Sequence, residues 1–292
     1  MNHVITGISY VPAKQRDALM CLEESMRVAL SNSKLKISAR TGSNIGIFLG
    51  TTFSNFSIRK NNFDKFNKLG IRAVNPADFP KLLISYLGGC LSIKFGTKGA
   101  MSVLSSGSSS GLDALSQALF FLERDKKNIA AIIELDESWE GESLPEIKAS
   151  TCFICENIAV GSRRKIYADI LGIQDYFEEE NKVSGVSECI KEVSELFLSK
   201  KDKPQFLSSA ALNSDKYFLE KKALQSVFPD KNSKLIPARA ATNSGLKALY
   251  DVFKSKKFTY LNKEKMPVSL FLSAGRDSNS TCLAMKLAGL VK

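Results

Sequence analysis

The sequence predicts an α/β protein, and three observations carry that prediction. Ala100–Ser105 ends in apolar Val103 and Leu104 as a strand, Ser106–Gly111 is a Gly/Ser turn, Leu112 to about Glu123 has helical spacing, and Asn128–Asp136 is a second strand. Ile45–Thr52 is a further apolar run that ends in a polar turn. Beyond about residue 160 the alternation of strands and helices starts again, with a helix after an early strand, although no repeat is visible in the residues themselves.

In chain order, Val4–Val11 reads as a strand, loosely alternating and interrupted by Gly7 and Pro12. Asp17–Leu30 carries Leu19, Leu22, Met26 and Leu30 at helical spacing. Ser54–Lys68 is polar, aromatic and basic with weak periodicity and is expected to be a surface excursion. Asp78–Phe95 is expected to be one long helix, with Gly88-Gly89 allowing close packing against another helix. In the helix from Leu112, the residues Leu112, Leu115, Leu119 and Leu122 form one apolar face, with Ala114 and Ala118 as small contacts. Ile129–Leu135 is apolar almost throughout, as a strand covered on both faces would be. Glu137–Lys148 is then a short acidic loop, and Ala149–Val160 and Lys165–Asp175 are strands.

The second half follows as helix Val186–Leu198, strand Gln205–Leu212 and helix Lys216–Phe228, stopped by Pro229-Asp230. Strand Leu235–Pro237, helix Thr242–Phe253 and closing strands Pro267–Ser273 and Ser280–Leu287 complete the chain. The halves are 1–160 and 161–292. No linker rich in Pro, Gly or Ser separates them, so they are expected to pack as one body.

With 292 residues, 44% of them apolar, the chain can bury a large core. No apolar run approaches the ~20 residues of a bilayer span, and Met1–Gly7 reads as the start of a strand, not a signal segment. Cys21, Cys90, Cys152, Cys155, Cys189 and Cys282 are scattered through apolar segments, which suits reduced thiols in a cytoplasmic core. Cys152 and Cys155 lie three apart in a strand-like run and so face opposite sides, which argues against a metal or redox pair. No metal site and no cofactor are expected. The net charge of +11 is carried by dispersed lysines with no nucleic-acid motif; it would suit nucleic acid, a membrane surface or an acidic protein, and by itself selects none of them.

The turn before Leu112 places Ser108 at a helix N-terminus, where backbone N–H groups and the helix dipole favour negative charge. A nucleophile at such an elbow is activated. The same serines and glycines also serve as a plain turn and helix cap.

The region resembles the nucleophile segment of the β-ketoacyl-acyl-carrier-protein synthases, thiolase-fold condensing enzymes with a pattern near S-T-A-C-A-S-G-x-x-A-L. Ser108 falls where that family keeps its catalytic cysteine, and Gly111 on the following glycine. Asn75-Pro76-Ala77-Asp78-Phe79-Pro80 resembles the family's N-P-x-x-F-P, Phe95-Gly96-Thr97-Lys98-Gly99 its F-G-x-K-G, and Ile45–Thr52 its I-G-x-x-x-G-T. The resemblance implies a thiolase-like fold of two similar βαβαβ-type halves in a five-layer αβαβα body, with the usual cap after Asp136 deleted.

It also implies what is missing. Such an enzyme needs a nucleophile and two histidines to assist decarboxylation and hold the oxyanion, and this chain has one histidine, His3, expected at a surface or sheet edge. Leu207–Asp215 stands where the family has H-G-T-G-T, with only Asp215 and Glu220 retained. Arg239–Gly245 resembles G-H-x-x-G-A-S-G without its histidine, and Gly275–Asn279 replaces the G-F-G-G-T-N gate.

The resemblance therefore implies a catalytically inactive, chain-length-factor-like subunit. It would pair as a heterodimer with an active ketosynthase, and with an acyl carrier protein, in polyketide, aryl polyene or fatty-acid-like biosynthesis. Met101, Val103, Ser105, Phe79 and Leu83 would supply the interface. A serine-dependent acyltransferase or hydrolase using Ser108, and a homodimeric acyl- or carrier-protein-binding module, are the alternatives.

Overall fold

The computed structural model describes residues 3–14, 17–138, 146–157, 165–177, 182–198, 205–208, 215–229, 235–237, 245–254, 268–274 and 279–287. Strand β1 (His3–Pro12) leads through helix α1 (Ala18–Ser33) and the single turn α2 (Ala39–Gly42) to β2 (Ile45–Thr51). Helices α3 (Phe56–Leu69) and α4 (Tyr86–Phe95) precede β3 (Met101–Leu104), α5 (Ser110–Arg124), β4 (Ile129–Ser138) and β5 (Glu146–Asn157). The remainder runs β6 (Ala168–Phe177), α6 (Lys182–Phe197), β7 (Gln205–Ser208), α7 (Asp215–Val227), β8 (Leu235–Pro237), α8 (Gly245–Lys254), β9 (Val268–Ala274) and β10 (Asn279–Leu287). The start of α1 is fixed chemically: the Asp17 carboxylate accepts from the Met20 N–H at 2.8 Å.

The strands form one ten-stranded sheet in the order β3-β2-β4-β5-β1-β6-β10-β9-β7-β8. Read outward from the middle, β1-β5-β4-β2-β3 is matched by β6-β10-β9-β7-β8, strand for strand with an offset of five. The senses match too. β2 runs parallel to β3 and β4, as β7 does to β8 and β9, while β4–β5 and β9–β10 are antiparallel. A duplication that leaves no trace in residue identity is thus plain in the topology. The boundary at 160/161 falls outside the described residues.

Alternation along the strands builds the layers. Ile45, Ile47 and Leu49 of β2, with Ala131 and Ile133 of β4, face α1 and α4. The opposite face of that half-sheet packs Phe48, Ile132 and Phe153 on Leu112, Leu115, Leu119 and Leu122 of α5 and on Leu246 and Leu249 of α8. Phe271 and Leu283 close on the same two helices from the other half-sheet, whose outer residues Leu270, Leu272, Cys282 and Ala284 meet α6 and α7. The result is five layers, α1/α4, sheet, α5/α8, sheet, α6/α7. Cys152 and Cys155 are fully buried on opposite faces of β5, in different cores.

Residues 54–68 run over the surface, most of them as α3, whose weak apolar periodicity reflects a helix exposed on most of its circumference. Four expectations need correction. Asp78–Phe95 is not one helix. Pro76 and Pro80 hold a 3-10 segment, Pro76–Leu82, and the chain is extended at Leu83 before α4 begins. A Cβ on Gly88 would touch Met101 and Val103, so this glycine meets strand β3 and not a helix, while Gly89 faces open space. Glu137–Lys148 is not simply a loop, because β4 and β5 extend into it and pair Glu137 with Ile147 and Ser138 with Glu146. His3 is neither at the surface nor at a sheet edge; it is buried on β1, between β5 and β6.

Two glycines mark close approaches between β2, β4 and α5. A Cβ on Gly50 would overlap the backbone of Ser110, and one on Gly111 would overlap the Glu134 carboxylate. Gly50→Ala is therefore expected to cost about 3 kcal/mol and lower the thermal midpoint by several degrees. Gly89→Ala, in open space on a helix, is expected to stabilise by about 0.5–1 kcal/mol. Thermal unfolding of the two variants side by side checks both signs.

Candidate functional site

The C-terminal ends of the parallel strands β2, β3 and β4 converge on the N-termini of α5 and α8. Gly107, at φ +68°, turns the chain out of β3, and a 3-10 turn, Gly107–Ser109, feeds α5. Hydroxyl groups hold this elbow. Ser110 Oγ donates to Gly107 O (2.7 Å) and Thr51 O (3.1 Å) and accepts from the Ser106 N–H (2.9 Å). Thr52 Oγ1 donates to Gly107 O at 3.2 Å, and Ser105 Oγ to Thr52 O at 3.0 Å. The loop after β2 and the turn after β3 are therefore one hydrogen-bonded unit. Ser108 lies within the 3-10 turn; its side chain is outside the described residues.

Three carboxylates surround the elbow. Ser106 Oγ donates to Asp113 Oδ2, and Ser109 Oγ donates to the same oxygen at 3.2 Å. Burial, aided by repulsion from Asp175 and opposed by these hydroxyls, raises the Asp113 pKa to about 6. Glu137 Oε2 accepts from Thr51 Oγ1 (2.6 Å), the Thr52 N–H (3.0 Å) and the Phe53 N–H (2.9 Å), and burial pushes its carboxyl above the ordinary range despite those donors. Glu134, buried beneath Gly111, accepts from the Leu246 N–H at 2.8 Å and so caps α8. Composition-blind spacing missed all three. Glu134 had left a signal, as the lone carboxylate in the otherwise apolar run Ile129–Leu135.

What the elbow offers is hydroxyl groups, backbone N–H groups and carboxylates. A carboxylate with a pKa of about 6 accepts hydrogen bonds from serine but is far too weak a base to hold it ionised. His3 stands elsewhere. Its Nε2 is 3.9 Å from Glu123 Oε1, in the last turn of α5. Thirteen residues of helix separate Glu123 from Ser110, or about 20 Å at 1.5 Å per residue. Burial lowers the His3 pKa, against Asn157 and Glu123, which raise it.

Of the other predicted positions, Asp215 opens α7 and is exposed, whereas Glu220 in the same helix is fully buried. Residues 209–214, 239–244 and 275–278, and the Ser208 side chain, lie outside the described residues. Met101 (41% exposed), Phe79 (68%) and Leu83 (53%) sit on the surface, Val103 is half-buried, and Ser105 is exposed just past the end of β3. β3 is the end strand of the sheet. Among the described residues no group of three or more His, Cys, Asp or Glu could hold a metal ion, and no helix is long and apolar enough to cross a membrane.

Two of the perturbed groups, Asp113 and His3, predict opposite pH effects. Asp113 titrates higher folded than unfolded, so the folded chain binds its proton more tightly and this group's contribution to stability falls as pH rises from about 4 to 6. His3 titrates below its ordinary 6.5, so its contribution falls as pH drops below that value. Denaturant midpoints across pH 4–8 are expected to flatten on the acid side in Asp113→Asn and near neutrality in His3→Gln, each relative to the unsubstituted chain.

Comparison with known proteins agrees with this geometry. Residues 4–132 match the family model of the beta-ketoacyl synthase N-terminal domain. No curated protein matches the chain by sequence. Among solved structures, AntDE:AntF, a type II polyketide synthase acyl-carrier protein in complex with its ketosynthase bound to the hexaketide, superposes with a TM-score of 0.78 at 13% identity, covering 98% of this chain and 99% of that one. The ishigamide ketosynthase/chain length factor gives 0.72 at 14% identity, covering 99% and 100%. A beta-ketoacyl synthase from Burkholderia phymatum gives 0.75 at 11%, covering 98% and 99%. Identities this low establish the fold alone: the chain has the thiolase-like fold of the ketosynthases, and its residues 4–132 match that family's N-terminal domain.

Proposed function

We propose that this chain is a catalytically silent ketosynthase-like subunit that pairs with an active β-ketoacyl synthase, as a chain length factor does. One observation carries the proposal. The only histidine in the chain is buried at the far end of α5 from the elbow, about 20 Å away along the helix axis. Condensation by decarboxylation needs imidazole beside the nucleophile, and no histidine is available for that place. Ser108 in the cysteine position removes the thiolate as well.

What persists is the architecture around the site. The elbow, the buried central helices and the end strand β3 are intact, and β3 with Phe79 and Leu83 presents apolar side chains next to an open sheet edge. Such an edge is completed by adding a strand from another subunit. The partner would contribute the cysteine and histidines, and this chain would complete the interface and the acyl tunnel, with an acyl carrier protein delivering the chain. That a ketosynthase/chain length factor and a ketosynthase in complex with its acyl-carrier protein share the fold supports this assignment. A polyketide, aryl polyene or fatty-acid-like pathway would use such a pair, and the cytoplasm would house it.

Expressed alone, the chain is expected to form no carbon–carbon bonds from malonyl thioesters, and Ser108→Cys is expected to stay inactive because no histidine is restored. Co-expression with an active ketosynthase partner is expected to give a soluble one-to-one complex by mass measurement. Condensation by the purified chain would overturn the proposal. Labelling of Ser108 by a serine-directed acylating probe, lost in Ser108→Ala, would instead mark an acyltransferase or hydrolase.

A further inference from the structure

We infer that the partner-facing surface extends from β3 across α3 and the turn Ile71–Ala73, and that its charge selects an acidic partner over a second copy of this chain. The inference rests on the heterodimer proposed above and adds to it the place and the sign of the contact.

Phe63, Phe66 and Leu69 recur at three-residue spacing along one side of α3, exposed by 64%, 46% and 72%, and Ile71 follows at 69%. Apolar side chains this prominent on consecutive turns mark an interaction surface, not the scattered exposure of an ordinary monomer. The stripe is joined to the proposed interface by direct contacts. Asn55 Nδ2, just before α3, donates to Lys81 O at 2.7 Å, at the end of the 3-10 segment that carries Phe79, and α3 packs on that segment. The chain then enters α4, where Gly88 lies against Met101 and Val103 of β3. From Phe63 to Met101 the exposed apolar residues therefore follow a continuous path of packed elements.

Charge names the occupant. Between residues 65 and 112 the cations are Lys65, Lys68, Arg72, Lys81, Lys94 and Lys98, and the sole carboxylate is Asp78. Asp78 is already engaged by Lys81 at 2.8 Å. Lys94 reaches back to Glu23 on α1 at 3.7 Å, and Asp64 within α3 is held by Lys60 at 3.2 Å. A two-fold homodimer through this surface would set the patch against itself. A second copy would match its apolar residues but return cation for cation, with no uncommitted carboxylate from this strip in reply. A partner with carboxylates around an apolar centre satisfies both halves of the pattern.

The test uses the full chain co-purified with an active ketosynthase partner. Lys65→Glu/Lys68→Glu/Arg72→Glu is expected to weaken the complex by about tenfold or more at low salt and to reverse the sign of its salt dependence. Lys221→Glu/Lys222→Glu, on exposed positions of α7, is expected to change it by less than about twofold. The neutral set Lys65→Gln/Lys68→Gln/Arg72→Gln gives an intermediate loss, and Phe63→Ser/Phe66→Ser a loss that persists at high salt. Unchanged circular dichroism in each variant assigns the losses to the surface. The inference is overturned if the charge-reversed variant pairs like the α7 control. It is equally overturned if the chain alone dimerises through the α3 surface, or if that surface binds a carrier protein or anionic vesicles while the ketosynthase complex is untouched. Failure of the unsubstituted chain to pair removes the proposed function as well, whereas pairing that ignores the α3 surface removes this inference alone.

Discussion

The Glu134 carboxylate is the point on which the middle of the molecule is hung. It lies under Gly111, where no side chain would fit, and accepts from the Leu246 N–H at the mouth of α8. A buried carboxylate is costly unless its oxygens are satisfied; here a helix N-terminus, with its partial positive charge, does so. The same few atoms set how close α5 comes to β4 and where α8 begins. Gly50, pressed against Ser110 from β2, completes the clamp. With both helices fixed at their N-termini, their apolar flanks fall between the two half-sheets, and the five layers follow.

The elbow itself is held by bonds of its own. The residues that shape it are glycines, serines, threonines and carboxylates whose bonds are internal: Ser110 to Thr51, Thr52 to Gly107, Glu137 to the loop after β2. None of them needs a thiol or an imidazole. Removing the reactive groups from such a site leaves the packing and the hydrogen bonds of the scaffold in place. Asp113, bonded to two serines and raised to about 6, shows the site filled by groups that stabilise one another.

Strands and helices with strong periodicity were legible in the sequence. Ile45–Thr51 and Ile129–Leu135 read as doubly covered strands because their apolar residues are continuous, and α5 because Leu112, Leu115, Leu119 and Leu122 share a face. The opposed cysteines of β5 were legible from the two-residue period alone. Other features depended on contacts that spacing does not encode. The break at Leu83 comes from where Pro76 and Pro80 hold the chain, and α3 escapes notice because so little of its surface is buried. His3 looked peripheral because it lies near the start of the chain, yet β1 is claimed by strands from both halves. The carboxylates of the site are likewise defined by partners 84 to 112 residues away or by a turn that only Gly107 permits.

The seam between the halves has a mechanical consequence. Among the described residues three pairs, from His3–Ile170 to Ile5–Ala168, join β1 to β6, whereas β4 and β5 share ten. Backbone ladders therefore hold each half to itself far better than to its twin, and resistance to sliding across the seam falls to the interlocked side chains of α5 and α8. Loosening that filling would let two intact slabs shear past each other before either one frayed.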